Sequence, residues 1–274
     1  MSFSLKYSDA KKLLHVMEAV LYIVEKTVIQ FGKDCIEVSG MDTNRVAFVC
    51  LSIEKDDFSE YMISQDKIAL GINIREIVKI LKVSSDNDNV IMTYNEGESI
   101  FTVSITNDML VRNYAVKLLD IDGESFDIPD FDYDFEMETD SRFFGNIIDS
   151  INVTGTDVAK FSISEGSLNL ICNGDMSDLD MVFNKNVVDS QRVVNKGNKV
   201  LIVKKKQPYK IFDCKGTFNV SYSVPYLKNF SKGNSLADKL TLSVSDNFPC
   251  RVQYMINCDT GSYLNFYLAP KITD

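Results

Sequence analysis

An order of elements that recurs once along the chain constrains its fold more than any other feature. Read by hydrophobic periodicity, the first half runs as a strand at Phe3 to Tyr7, a helix over Asp9 to Val24, five strand-like runs, a helix over Ile74 to Lys82, and three closing strands. The second half repeats that order. Helix-opening Asp9 matches Asp140, VSITN from Val103 matches QYMIN from Gln253, and YAVKLL from Tyr114 matches YLNFYL from Tyr263. The offset grows along the chain, which places an insertion between the early strands and the second helix of the second half. Each half therefore reads as an α+β unit, with two helices covering one face of an antiparallel sheet.

The helices carry a shared signature. In the first, Leu13, Leu14, Met17, Val20, Leu21 and Val24 recur at helical spacing, with Lys11, Lys12 and His15 on other faces. In the second, Ile74, Ile77, Val78 and Leu81 point one way while Arg75, Lys79 and Lys82 point the other. In the second half Pro225 opens a helix and Gly233 closes it, with Lys228 and Lys232 one turn apart. Three of four helices thus present cations from a protein whose formal net charge is −10. A common polyanion on one face accounts for that placement.

Charge is segregated elsewhere too. Lys185 to Lys215, the inserted segment, holds nine basic residues against two acidic ones, so the remainder is more acidic than the net charge suggests. Its runs RVV and KVLIV flank Asn195-Lys196-Gly197-Asn198 and read as a hairpin, its cations either supplementing nucleic-acid contact or simply solvated. Lys117 to Asp134 is the opposite case. Seven acidic residues are punctuated there by Leu118, Leu119, Ile121, Phe126, Ile128, Phe131 and Tyr133, and Pro129 favours an extended ribbon. A freely solvated spacer needs no such apolar content, so this connector is a place for a partner to dock. The organisation is then an N-terminal unit 1–118, a connector 119–134, and a C-terminal unit 135–274 with the insertion near 186–210.

Several classes are disfavoured. The longest apolar run, Ala19 to Val24, is too short to span a membrane, and the N-terminus lacks a signal-peptide core. The six cysteines form no CxxC pair, which suits buried free thiols in a reducing compartment inside a cell. With one histidine, no Gly-rich phosphate loop, no GxSxG and no zinc-spaced Cys/His cluster, neither catalysis, a metal nor a cofactor is expected.

SGMDTNRVAFVCLSIEKDDFSEY, LGINIREIVKILK, KLLDID, IPDFDY and above all YLAPKI resemble the proliferating cell nuclear antigen family, the DNA sliding clamps of eukaryotic replication. The resemblance runs nearly end to end and lapses at the insertion. It implies that two such domains form one subunit and that three subunits close into a ring. The helices would line a lumen around double-stranded DNA. DNA polymerase and other clients would bind by a short peptide in a pocket under the connector, with a clamp loader as a further partner, in the nucleus or another intracellular site of replication. A monomeric or dimeric processivity factor of the same fold, held on DNA by charge, is the competing reading.

Carried over position by position, the resemblance places the peptide pocket at Met41, Arg45, Val46, Phe48, Phe126, Ile128, Pro129, Tyr133, Tyr267, Ala269, Pro270 and Ile272. Arg45 stands where the family usually has a histidine, and Phe48 and Phe126 replace smaller aliphatic residues. His15, Lys79, Lys82 and Lys232 match cationic lumen positions, with Lys11, Lys12, Arg75 and Lys228 as neighbours. Asn146 and Asp149 stand where the family has arginines, and the turn Ile163-Ser164-Glu165-Gly166 lacks the family's modifiable lysine. The resemblance also implies that the strand with Val111, Tyr114 and Val116 pairs with the strand carrying Leu179, Met181 and Phe183 of the next subunit.

Overall fold

The computed structural model describes residues 1–121, 131–185, 191–196, 199–204 and 207–271. The first unit comprises β1 (Phe3–Tyr7), α1 (Ala10–Leu21), β2 (Lys26–Gly32), β3 (Cys35–Met41), β4 (Ala47–Glu54), a 3-10 turn (Lys55–Asp57), β5 (Glu60–Ile63), β6 (Lys67–Asn73), α2 (Ile74–Leu81), β7 (Asn89–Tyr94), β8 (Ile100–Thr106) and β9 (Val111–Lys117). The second repeats it as β10 (Phe135–Asp140), α3 (Ser141–Val153), β11 (Val158–Ser164), β12 (Ser167–Asn173), β13 (Asp178–Asn184), β16 (Tyr209–Cys214), β17 (Phe218–Ser223), α4 (Val224–Ser231), β18 (Lys239–Val244), β19 (Cys250–Asn257) and β20 (Ser262–Leu268). Between β13 and β16 the insertion forms the expected hairpin, β14 (Gln191–Lys196) paired with β15 (Lys199–Lys204).

Local chemistry sets the helix ends. Asp9 is extended, and its side chain accepts the Lys12 N–H at 2.8 Å, so it caps α1, which starts at Ala10, one residue later than expected. The helix stops at Leu21 and not at Val24, because the N–H groups of Ile23 and Val24 both return to the Val20 carbonyl at 3.0 Å and close a turn. Asn73 caps α2 by accepting the Arg75 N–H at 2.9 Å, and Pro225 sits in the first turn of α4, where its missing N–H costs nothing.

Besides the β14–β15 hairpin, three sheets are built from these strands. One has the order β5-β1-β7-β8-β9, another β13-β12-β11-β17, and a nine-stranded sheet runs β16-β10-β18-β19-β20-β4-β3-β2-β6 through both units. The join is β20 on β4, antiparallel, from Tyr263 opposite Ser52 to Leu268 opposite Ala47. Phe230 of α4 stacks on Phe266 with ring centroids 4.8 Å apart, so the even-numbered residues of β20 face the helices. Two isolated bridges repeat the symmetry: Leu119 pairs with Gly71 of β6, and Lys271 with Ser221 of β17. Gly71 is required, because a Cβ there would lie 2.3 Å from the Leu119 carbonyl oxygen.

Two expectations are corrected. By hydrogen-bonded position Tyr114, opposite Val103, corresponds to Phe266, opposite Val252, and not to Tyr263, in step with the bridges of Leu119 and Lys271. Of the six cysteines only Cys172 and Cys250 are buried; Cys35, Cys50 and Cys214 are half-buried and Cys258 is exposed in a turn.

Candidate functional site

Antiparallel pairing across the nine-stranded sheet aligns one residue from each of six strands. Met41 lies opposite Phe48, Phe48 opposite Tyr267, Tyr267 opposite Arg251, Arg251 opposite Ser243, and Ser243 opposite Glu136. This row crosses the boundary between the units on the sheet face turned away from the helices. Its first half is apolar, with the Phe48 and Tyr267 rings 5.9 Å apart. The second half is a polar chain in which Arg251 Nη2 contacts both Glu136 Oε1 and Ser243 Oγ at 3.1 Å. Beside it the Arg251 guanidinium lies over the Tyr133 ring at 5.0 Å, and Tyr133 donates to the Pro249 carbonyl at 3.2 Å. Burial pushes the Tyr133 and Tyr267 phenols up, so both stay neutral.

The sequence-predicted pocket residues converge here as far as they are described. Ala269 N–H donates to the Val46 carbonyl at 2.9 Å, bringing the end of β20 against the loop after β3. Phe48, Tyr133 and Tyr267 are buried, Met41, Val46, Ala269 and Pro270 are half-buried, and Arg45 is exposed. Arg45 has φ 58°, a left-handed conformation that the tight loop imposes on it. Phe126, Ile128, Pro129 and Ile272 lie outside the described residues. Sequence reasoning missed Arg251, Ser243 and Glu136, although the strict alternation of CRVQYMIN puts Arg251 on the same face as Tyr267 once the β19–β20 register is known.

The helix face is less cationic than the sequence suggests. His15, Arg75, Lys79, Lys82, Lys228 and Lys232 are exposed, whereas Lys11 and Lys12 are half-buried. Carboxylates are interleaved among them. Arg75 pairs with Glu25 at 2.7 Å, Lys79 with Glu76 at 2.7 Å and Lys82 with Glu18 at 3.1 Å. Lys228 donates to Asn152 Oδ1 at 3.2 Å, and the Lys232 ammonium lies over the Tyr22 ring at 4.3 Å, tying the end of α1 to that of α4. Asn146 and Asp149 are exposed on α3.

Among the sheet edges, β9 and β13 are each paired on one side only among the described residues, with β8 and β12. On them Val111 and Val182 are 59% and 57% exposed, Tyr114, Leu179 and Met181 are half-buried, and Val116 and Phe183 already belong to the core. A cleft of about 1080 Å³ between the first turn of α3 and strands β18 and β19 coincides with none of the expected residues. No described helix is long and apolar enough to cross a membrane. Among the described residues no group of three His, Cys, Asp or Glu side chains is placed to hold a metal ion.

Two α+β units sharing one sheet across their boundary, with helices on one side and an apolar row on the other, define the DNA-clamp architecture. Residues 2–126 match the family model for the proliferating cell nuclear antigen N-terminal domain, and residues 127–271 the model for its C-terminal domain. The chain belongs to the proliferating cell nuclear antigen family, and is a DNA sliding clamp and processivity factor of replication and repair. The Caenorhabditis elegans proliferating cell nuclear antigen is 27% identical over 282 residues, covering 99% of this chain and 98% of the relative. The crystal structure of the Entamoeba histolytica protein of that name superposes with a TM-score of 0.83 at 24% identity, covering 99% of both chains, a likeness of fold.

Proposed function

We propose that three copies of the chain close into a ring around duplex DNA, helices inward, and that DNA polymerase and other clients dock a short peptide along Met41, Phe48 and Tyr267 beneath the connector. The observation that carries the ring is that the open edges β9 and β13 are the counterparts of β20 and β4, which pair within the chain. Transferring the β20–β4 register sets Val111 opposite Val182 of the next copy, Arg112 opposite Met181, Asn113 opposite Asp180 and Tyr114 opposite Leu179. Exposed apolar residues then meet each other, and a head-to-tail contact of this kind closes into a ring when its rotation divides a full turn. Two equivalent units per chain give six around the ring.

The domain limits 1–118 and 135–274, the connector 119–134, a loader to open the ring, and a nuclear or other replication-site location belong to the same reading. The mixed charge of the helix face favours topology over charge as the means of retention. Exposed ion pairs are worth at most about 1 kcal/mol, so phosphates can exchange with Glu18, Glu25 and Glu76 as the ring slides. A factor held on DNA by charge alone would need an unshared cationic face. Light scattering at tens of micromolar tests the ring: three times the 31.0 kDa chain mass is expected, and a monomer mass alone would overturn it.

A further inference from the structure

The connection between β4 and β5 and the connection between β13 and β16 leave their sheets in the same way. Lys55 N–H donates to the Asp34 carbonyl at 2.7 Å, and Lys185 N–H to the Gly166 carbonyl at 2.7 Å. In the first unit a short 3-10 turn follows; in the second, residues 186–208 follow and contain β14 and β15. The short version has a visible task. Asp57 accepts hydrogen bonds from Asn257 Nδ2 at 2.5 Å, Thr260 Oγ1 at 3.1 Å and Ser262 Oγ, fastening the β19–β20 turn of the other unit beside the β20–β4 join.

The counterpart of that fastened turn is the β8–β9 turn. Asn257 Oδ1 accepts the Asp259 N–H at 3.0 Å just as Asn107 Oδ1 accepts the Met109 N–H at 3.0 Å. Here, however, the turn is left bare: Met109 is 95% and Leu110 52% exposed. Val83, 47% exposed, is held nearby by Arg112 Nη1 on its carbonyl at 2.9 Å, and Asp86 and Asp108 stand exposed in the same two loops. The result is an apolar, acidic-flanked surface at the end of an open edge strand.

We propose that the β14–β15 hairpin is an inter-subunit strap that lies on the β8–β9 turn of the neighbouring copy. The proposal rests on the ring reading above and assigns the basic segment a second copy of this chain as its partner. A two-stranded ribbon is marginally stable by itself and needs a further surface. In composition the hairpin suits that surface: Val193, Val194, Val200, Leu201, Ile202 and Val203 make it apolar, and Arg192, Lys196, Lys199 and Lys204 make it basic where the turn is flanked by Asp86 and Asp108. Position and charge agree. The insertion starts where Asp57 performs the same fastening within the chain.

The test uses the full chain with p-benzoylphenylalanine in place of Met109, irradiated as the assembled protein in a mixture of tagged and untagged copies. Crosslinks between different copies that map to 191–204 are expected. A companion variant replacing 191–204 by a Gly-Ser linker is expected to dissociate on dilution at roughly tenfold higher concentration, with the gap narrowing in high salt. A trimer that crosslinks elsewhere, or whose dissociation ignores the deletion while DNA retention falls, would overturn the strap and leave the ring standing. A monomeric parent protein would overturn the ring reading itself.

Discussion

Tyr226 of α4 donates its phenolic hydrogen to Asp42 Oδ2 at 2.5 Å, across the boundary between the two units. The other Asp42 oxygen accepts the Val46 and Ala47 N–H groups at 2.8 and 2.7 Å, so one carboxylate moulds the loop beside the apolar row while a helix on the opposite sheet face steadies it. Burial raises the Asp42 pKa, but the hydrogen bonds from Tyr226 and the loop N–H groups outweigh it and hold the carboxyl below its ordinary value. Burial first, and then Asp42, push the Tyr226 phenol up and keep it a donor. Tyr226→Phe should cost about 1–2 kcal/mol in denaturant unfolding. It should weaken client-peptide binding and leave DNA retention unchanged, a split that parallel peptide and DNA titrations would check.

Asp88 and Arg112 form the corresponding lock beneath the open edge β9, with Nη2 to Oδ2 at 2.6 Å and the Asp88 side chain 1% exposed. The Ser85 N–H, then the Asn107 amide, and behind them Arg112 hold the Asp88 carboxyl below the usual range against burial. Its folded pKa is therefore depressed. The stability it contributes is present above the unfolded value of about 3.9 and is lost as pH falls through the lower folded value. Asp88→Asn should lower the thermal midpoint by about 2–5 °C at pH 7 and flatten the acid limb, as calorimetry between pH 3 and 7 would register.

What the sequence made legible is what depends on near neighbours. The Asp9 cap, the 3.6-residue stripe of α2, the Pro225 start of α4, the order of strands and the β14–β15 hairpin are written in short windows. The six-strand row is not, because Met41 and Glu136 are brought into one line only by five successive registers. The slip at Tyr114 has the same origin, since the match to Phe266 follows from strand register and from the bridges of Leu119 and Lys271, not from similar letters. Glu18 and Glu25 were in plain view, yet their pairing with Lys82 and Arg75 depends on how α1 and the residue before β2 pack beside α2, whereas Glu76 with Lys79 is a local i,i+3 pair.

The connector is expected to supply anchors facing the apolar row. Replacing Phe126 and Ile128 with Ala should cost a client peptide about 2 kcal/mol, roughly a thirtyfold loss of affinity. The assembled mass should not change, because neither residue belongs to β9 or β13. Fluorescence anisotropy with a labelled peptide measures the first, and sedimentation the second.

On the other surface, Lys79→Ala with Lys82→Ala should spare peptide affinity and weaken the hold on DNA. Each lysine–phosphate pairing removed should reduce the slope of log affinity against log salt by about 0.9, so the double variant should lose about 1.8. Salt titration of retention on a nicked circular duplex would reveal that change. An unchanged slope would remove both residues from the DNA-facing set.

The pairing of β9 with β13 of the next copy is the central claim, and its register is specific enough to be trapped. Residues directly opposite in an antiparallel pair have Cα atoms about 4.5–5.5 Å apart, within the range a disulfide bridges. The measurement is non-reducing gel electrophoresis of the Val111→Cys, Val182→Cys double variant after mild oxidation, beside an Asn113→Cys, Val182→Cys control displaced along the strand. A covalently closed trimer is expected for the first and little crosslinking for the second. A double variant that remains monomeric, or a control that crosslinks equally well, would contradict the pairing.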